Sequence, residues 1–516
     1  VFDDPADDLL YFNGVNGSTG DYLLEPMPPN QIAAIAKGKP LEKRQMAELQ
    51  QLCERMTKAR YGVVAGVDES KIEESGWGVI FSHDADRRLR DALLPLLDLR
   101  KEQATLRENL YREYWGPDGY QLGERKEAFL ARHGAGFGPA DPHNVPYYLL
   151  IIGSPNSIPF RFQYQLDVAY AVGRLWFDGD DAYSKYRQYS ESVVAAETGK
   201  IALSRKAVFF GVENENDRAT QLSAKELVAP LADGLPKWLN RDKPAWDIGK
   251  IIGNQATKEK LGRLLGGDET PSLIFTASHG MGFNNGDSKQ LRHQGALLCQ
   301  DWPGPLAWRR PIAVDHYFSG DDIDDNANVF GLIAFQFACY GAGTPKMDDF
   351  SHLSLGNPVE IAPHAFLASL PQSLVGHPNG SALAVIGHVE RAWGYSFMWN
   401  RAGRQLQAFQ ATLTKTMDGL PIGAALEYFN CRYAELSTAL SAVLEDIDLG
   451  VNVPDQDVAE LWTANNDARS YIIVGDPAVR LPLKSSEESD TLRANLESTR
   501  LSPPRPSSVT ANEEIV

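Results

Sequence analysis

From about residue 61 onward, short apolar runs alternate with longer amphipathic stretches. The runs are WGVIF at 77–81, YYLLIIG at 147–153, KAVFFGV at 206–212, LIFTASHG at 273–280, GLIAFQFACYG at 331–341 and ALAVIGHV at 382–389. Between them, LRDALLPLLDLRKEQATL has apolar residues at helical spacing, and two more helices are predicted over 401–418 and 422–446. YIIVGDPAVRLPL at 471–483 closes the globular part. Runs that are apolar on both faces are strands covered on both sides, so the pattern predicts an α/β fold: a mostly parallel sheet with helices on both sides.

The ends of the chain read differently. Residues 1–60 form an N-terminal extension, in which a Gly/Asn/Pro-rich arm (FNGVNGSTGDYLLEPMPPN) precedes a helical pattern over 31–58. The arm's apolar residues, Leu9, Leu10, Tyr11, Phe12 and Leu23, suggest docking onto the body. Residues 61–200 are expected to form a first α/β subdomain and 201–483 a catalytic one. From 484 to 516 Ser, Glu, Pro and Asn dominate, the composition of a disordered tail. No repeat of fixed period appears.

Composition narrows the function classes. The 516 residues are 43% hydrophobic, enough for a large core, and a net charge of −18 without a basic cluster disfavours a nucleic-acid partner. Cys53, Cys299, Cys339 and Cys431 are too scattered for a CxxC redox pair or a thiolate zinc knuckle. No apolar run reaches the ~18 residues of a membrane span, and the acidic start VFDDPADDLL does not read as a signal peptide. A soluble cytoplasmic protein with reduced thiols is the expectation.

In an open α/β sheet, functional groups gather beyond the carboxyl ends of the strands. Two runs end in reactive side chains: LIFTAS leads into His279-Gly280, and LIAFQFA leads into Cys339 followed by Tyr340-Gly341. A thiol needs a base to become a nucleophile, and an imidazole serves as that base and later as the acid for a leaving amine. Neighbouring strands would bring both to one rim. Gly280, lacking a Cβ, lets a backbone N–H approach a substrate, and with the Cys339 N–H it would hold an oxyanion. Cys53, Cys299 and Cys431 have no matched His and read as structural.

In caspases the nucleophile lies in a QAC[RQG]G pentapeptide, with its His ~50 residues upstream. Phe337-Ala338-Cys339-Tyr340-Gly341 keeps Ala-Cys-x-Gly and replaces the Gln, and His279 precedes Cys339 by 60 residues. With Ser278-His279-Gly280, Val474-Gly475-Asp476-Pro477, Ile151-Ile152-Gly153, Ile158-Pro159 and Asp167-x-x-Tyr170-x-x-Gly173-Arg174, the chain over 61–483 resembles the caspase-like cysteine peptidases of clan CD, gingipain-like and CHAT branch. The resemblance implies a caspase-like sheet and a cysteine endopeptidase acting on protein substrates without a cofactor. It also implies Asp167 as the floor of a pocket for a basic side chain. Latency until activation, a regulatory protein partner and a place in bacterial defence or signalling are further implications. The rival reading is an idle caspase-like interaction module.

Other candidates carry less. His388 ends a run but follows Cys339, and is expected to line the rim; His316 is expected to be structural. Asp322-x-Asp324-x-Asn326-x-Asn328 has calcium-loop spacing, yet Ala327 replaces the turn Gly and Ile333 the twelfth-position Glu. That excludes an EF-hand and leaves a weaker site at Asp321, Asp322, Asp324 and Asp325 open. Gly134-x-Gly136-x-Gly138 lacks the strand and helix of a dinucleotide fingerprint, and no phosphate loop, HExxH or GxSxG is present.

Overall fold

The structure, a computed structural model, describes residues 62–240, 243–348, 359–399 and 403–484, together with 14–18 and residues 9, 20 and 28. The helix expected over 31–58, Cys53, Leu10, Tyr11, Phe12, Leu23 and the tail beyond 484 lie outside the described residues. The strands used below are β1 (Gly14–Asn16), β2 (Trp77–Phe81), β3 (Tyr111–Tyr114), β4 (Tyr148–Ile152), β5 (Ala171–Leu175), β6 (Lys206–Gly211) and β7 (Asp247–Ile252). They continue with β8 (Leu273–Ala277), β9 (Gly280–Gly282), β10 (Leu297–Leu298), β11 (Tyr317–Phe318), β12 (Ile333–Phe337), β13 (Ala384–His388) and β14 (Tyr471–Gly475). The helices are α1 (Arg87–Ala104), α2 (Phe160–Asp167), α3 (Ala182–Glu197), α4 (Gln407–Met417), α5 (Ile422–Asp448) and α6 (Asp455–Arg469).

Ten strands form one sheet in the order β3-β2-β4-β5-β14-β13-β12-β8-β6-β7. Every neighbouring pair is parallel except β13 with β14. The sheet therefore consists of two parallel halves running in opposite directions. The carboxyl ends of β8, β12 and β13 share an edge with the amino ends of β5 and β14. Residues 61–200 supply β2 to β5 and residues 201–483 the rest, and both belong to this one sheet.

Every residue of β2, β4, β5, β8, β12, β13 and β14 is buried, which requires cover on both faces. Under α4 and α5 an aromatic cluster joins three strands. Phe335 lies 5.2 Å from Phe275, 5.7 Å from Phe409 and 5.9 Å from Tyr471, and Phe429 packs on Tyr471 at 4.4 Å. At the junction of the halves Gly173 is obligatory, because a Cβ there would lie 2.1 Å from the Gly475 carbonyl oxygen. The VGDP segment is an anchor beneath the same junction. Asp476 accepts from Arg100 Nε at 2.7 Å, Trp77 Nε1 at 3.0 Å and the Ala478 N–H at 3.1 Å. Arg100 also binds Glu197.

A second sheet, β1-β9-β10-β11, stands beside the carboxyl end of β8. Its own small core comprises Val15, Met281, Phe283, Ala296, Leu298, Trp302, Ile312 and Tyr317. No helix among the described residues is long and apolar enough to cross a membrane.

Candidate active site

β8 and β12 are adjacent and parallel, with Ala277 in register with Phe337, and the Ser278 N–H donates to the Phe337 carbonyl at 3.2 Å. His279 and Cys339 therefore leave neighbouring strands at the same level of the same edge. Contact between the two segments is made by backbone. A Cβ on Gly280 would lie 1.7 Å from the Cys339 carbonyl oxygen, and one on Gly295 would lie 2.1 Å from that of Tyr340. Only glycine fits at either position. Tyr340 adopts a left-handed φ of 58°, a conformation that persists for a bulky residue only where its surroundings fix it. Its N–H donates to the Glu390 carbonyl at 2.6 Å, and Glu390 is itself left-handed at φ 72°.

His279 is fully buried, and its Nε2 meets Asp217 Oδ2 at 2.8 Å. Asp217 is equally buried, and Thr220 Oγ1 donates to the same Oδ2 at 2.7 Å. The loop after β6 that carries Asp217 is stitched to the segment after β10. Asn214 Nδ2 donates to the carbonyls of Cys299 at 3.2 Å and Trp302 at 2.8 Å, and the Glu213 N–H donates to Gln300 Oε1 at 2.7 Å. Trp302 stands edge-on to the imidazole, with centroids 6.3 Å apart. Asp217 is the functional candidate that the sequence reading missed. It lies beyond the carboxyl end of KAVFFGV, and the sheet order, which makes β6 the neighbour of β8, is what singles it out.

Cys339 has no exposed surface, and burial pushes its thiol up from the ordinary cysteine range. The Ala392 N–H donates to Sγ at 3.2 Å, and Sγ faces the Ala392 carbonyl at 3.8 Å. The loop holding Ala392 is fixed by Asp467 of α6, whose Oδ1 accepts the Trp393 N–H at 2.9 Å and whose Oδ2 accepts from Ser396 Oγ. Burial alone would raise the Asp467 carboxyl, but bonds from His388 and Ser396 and the charge of Arg432 hold it below its usual value. His388 is thereby committed. Its Nε2 bonds the Asp467 carbonyl at 3.0 Å, and its ring stands edge-on to Tyr471. His316 packs edge-on to Trp308 at 4.5 Å, Cys299 is buried, and Cys431 is half-buried on α5.

Asp167 ends α2 and faces the start of β5, so it lies on the same sheet edge as Cys339 because the halves are reversed. β14 and β13 intervene, a lateral offset of about 14 Å. Its Oδ1 accepts the Val172 N–H at 3.2 Å, its buried Oδ2 has no hydrogen-bond partner, and burial pushes the carboxyl well up. Among the described residues it forms no ion pair. The Arg174 guanidinium is spent on Gln163 Oε1 at 2.8 Å and the Gly153 carbonyl at 3.0 Å.

The acidic stretch does not converge on a cation. Asp321 binds Arg292 and His293, Asp322 caps Ser319 and binds Lys258, and Asp324 bonds Asn326. Among the described residues no group of three or more His, Cys, Asp or Glu is placed to hold a metal.

No family model matches the chain, and no curated protein matches it. Among solved structures it is similar to the crystal structure of the Arg-specific cysteine proteinase gingipain R at 12% identity and a TM-score of 0.43, covering 82% of this chain and 80% of that one. It is also similar to the complex of the Porphyromonas gingivalis RgpB pro- and mature domains at 12% identity and a TM-score of 0.39, covering 79% and 80%. The roles of the residues rest on the geometry above.

Proposed function

We propose that the chain is a caspase-like cysteine endopeptidase, latent in the described conformation. The observation that supports it best is the sequence Asp217, His279, Cys339 along three adjacent strand ends, with Asp217 bonded to His279 and Gly280 against the Cys339 backbone. Asp217 orients the imidazole through Nε2, so the nitrogen that exchanges a proton with the nucleophile is Nδ1. The thiolate attacks the scissile carbonyl, the imidazolium protonates the leaving amine, and water then resolves the acyl-enzyme by the reverse proton path. The N–H groups of Gly280 and Cys339 receive the oxyanion. Asp167 is proposed as the acidic floor of a subsite for a basic side chain. Its carboxyl, buried without a cation, is the kind of group that a bound guanidinium would ionise and pair.

Latency rests on the burial of Cys339 and on the Ala392 N–H that occupies its sulfur. The same burial favours an idle interaction module as the second reading. The test is a diverse peptide library incubated with purified protein, alone and with cell extract as a source of activator, and read by mass spectrometry. Cleavage that disappears in Cys339→Ala, with an unchanged melting temperature, is expected. Cleavage that survives in that variant, or none under any condition, would overturn the peptidase reading.

A further inference from the structure

The N-terminal arm holds a position that the peptidase reading does not use. β1 lies parallel to β9, with Gly14, Val15 and Asn16 in register with Gly280, Met281 and Gly282, so the arm is the outer neighbour of the strand that starts at Gly280. It is threaded between two walls. The Gly17 N–H donates to the Gly282 carbonyl at 2.7 Å, and the Ile312 N–H donates to the Gly17 carbonyl at 3.0 Å from the other side. Asn16 Nδ2 donates to Asn284 Oδ1 at 3.2 Å, and Ser18 Oγ donates to Asp287. The fit leaves no slack. A Cβ on Gly17 would lie 2.2 Å from the Phe283 ring, and one on Gly20 would lie 2.4 Å from the Arg310 carbonyl oxygen.

Val15 is 1% exposed and belongs to the small core that includes Trp302, the ring edge-on to His279. That core is separate from the main one, so it depends on its few members. β9 itself is Gly-Met-Gly, a sequence with little intrinsic preference for an extended backbone. Hairpin bonds hold it on one side: Met281 N–H to the Ala296 carbonyl at 2.8 Å and Leu298 N–H to the His279 carbonyl at 3.0 Å. β1 holds the other side. Without β1, the strand that continues from His279 becomes an open edge over a core that has lost a member.

We propose that residues 14–18 are a positioning element of the active site, in which Val15 fixes the His279-Gly280 segment against Cys339. The inference rests on the peptidase reading for its kinetic consequence but not for its structural one. Val15 touches no substrate; it acts through Met281 and Gly280. Withdrawing it loosens the segment that carries His279, whose placement matters most in the transition state, so turnover falls while substrate binding is retained.

The experiment uses the full chain with Val15→Asp, which places an unpaired carboxylate in the small core, and Val15→Ile as the conservative control. Amide hydrogen exchange over 279–298 and iodoacetamide labelling of Cys339 are measured in each. Under conditions where the wild type turns over, kcat and KM are measured as well. The expected result is faster exchange at 280–282 and an altered labelling rate in Val15→Asp. With turnover, kcat falls by about tenfold or more while KM stays within about twofold, and Val15→Ile matches the wild type. Unchanged exchange at 280–282, or an unchanged kcat despite faster exchange, overturns the proposal. Should Val15→Asp fail to fold, Val15→Ala is read by the same criteria. If the wild type never cleaves a peptide, the peptidase reading fails alone, and exchange with labelling decides the role of the arm.

Discussion

Replacing Asp476 by Asn tests the joint between the two half-sheets. The carboxylate and the Arg100 guanidinium are both fully buried and bonded at 2.7 Å, and Glu197 completes the charge set. Asparagine keeps the shape but offers one oxygen to three donors, Arg100, Trp77 Nε1 and the Ala478 N–H, and turns an N–H toward at least one of them. Arg100 keeps Glu197 as its partner in the variant, so the loss comes from the buried donors left short of an acceptor, about 1–3 kcal/mol each, and reaches about 3–5 kcal/mol where two are left. With an unfolding entropy of about 2 cal/mol/K per residue, a chain of this size loses about 1 °C of melting temperature per kcal/mol. The expected shift is therefore only about 3–5 °C, while urea denaturation registers the larger relative change in a total of about 5–15 kcal/mol. The pH dependence has a definite sign. Burial acts to raise the Glu197 carboxyl, but the charge and hydrogen bonds of Arg100 outweigh it and the net shift is downward. The contribution of Glu197 is thus complete above its unfolded value of about 4.3 and fades as pH falls through the lower folded value. A folded Asp476→Asn within about 1 kcal/mol of the wild type at pH 7 would refute the account of these buried donors as dependent on the carboxylate.

Three further outcomes concern the active site. Asp217→Asn, which keeps the shape of the 2.8 Å contact but removes the charge that orients His279, should lower kcat by up to about 10⁴ with little change in melting temperature, as for the acid of a Ser-His-Asp triad; near-normal turnover in steady-state assays would remove Asp217 from the machinery. Gly280→Ala should abolish turnover and lower the melting temperature, since its methyl would occupy the Cys339 carbonyl, and a wild-type-like variant would mean that this close approach is absent in solution. With fluorogenic peptides ending in Arg, Lys, Leu or Asp, the basic ones should lead by an amount on the order of 2–5 kcal/mol in kcat/KM, and Asp167→Asn should erase that lead without slowing Cys339 labelling; a wild type that prefers Leu or Asp would discard the basic subsite.

How much could be read from the sequence follows from what each residue buries. Central strands such as LIFTA and IAFQF are apolar at all but one position, Thr276 and Gln336, because both faces are covered, so they appear as runs, and His279 and Cys339 stand out just beyond their ends. The edge strands are invisible for the converse reason: YREY of β3 and DIGKII of β7 keep polar residues toward solvent. α6 buries polar residues, Glu460, Asn465 and Asp467 among them, so its inner face looks like an outer one. Asp217 was hidden among Glu213, Asn214, Glu215 and Asn216, five polar residues that spacing cannot rank. Only the strand order, which makes β6 the neighbour of β8, singles one out. The reversal between β13 and β14 was equally unreadable, since the direction of β14 depends on how α4, α5 and α6 pack between the two strands. That reversal places Asp167 on the same edge as the thiol.

The burial of Cys339 also locates where access must arise. A thiol that is to meet a carbonyl has to be uncovered, and two walls enclose it. One is the hairpin from Gly280 to Leu298, which packs backbone against backbone through Gly280 and Gly295 and is continuous with His279. Displacing it would pull the imidazole from Asp217 and move Gly280, so an opening on that side uncovers the proposed nucleophile while dismantling its partners. The other wall is the segment around Ala392, held by Arg391 to Asp348 at 2.7 Å, by the Trp393 N–H to Asp467 at 2.9 Å and, upstream, by the Tyr340 N–H to the Glu390 carbonyl at 2.6 Å. Bonds of this kind are exchanged for water at a net cost of about 0.5–1.5 kcal/mol each, up to about 3 kcal/mol where a charge takes part. Moving the Ala392 wall frees the sulfur and leaves the His279–Asp217 pair and Gly280 in place. Of the two openings, the one at the Ala392 wall is therefore the one that keeps the proposed site assembled.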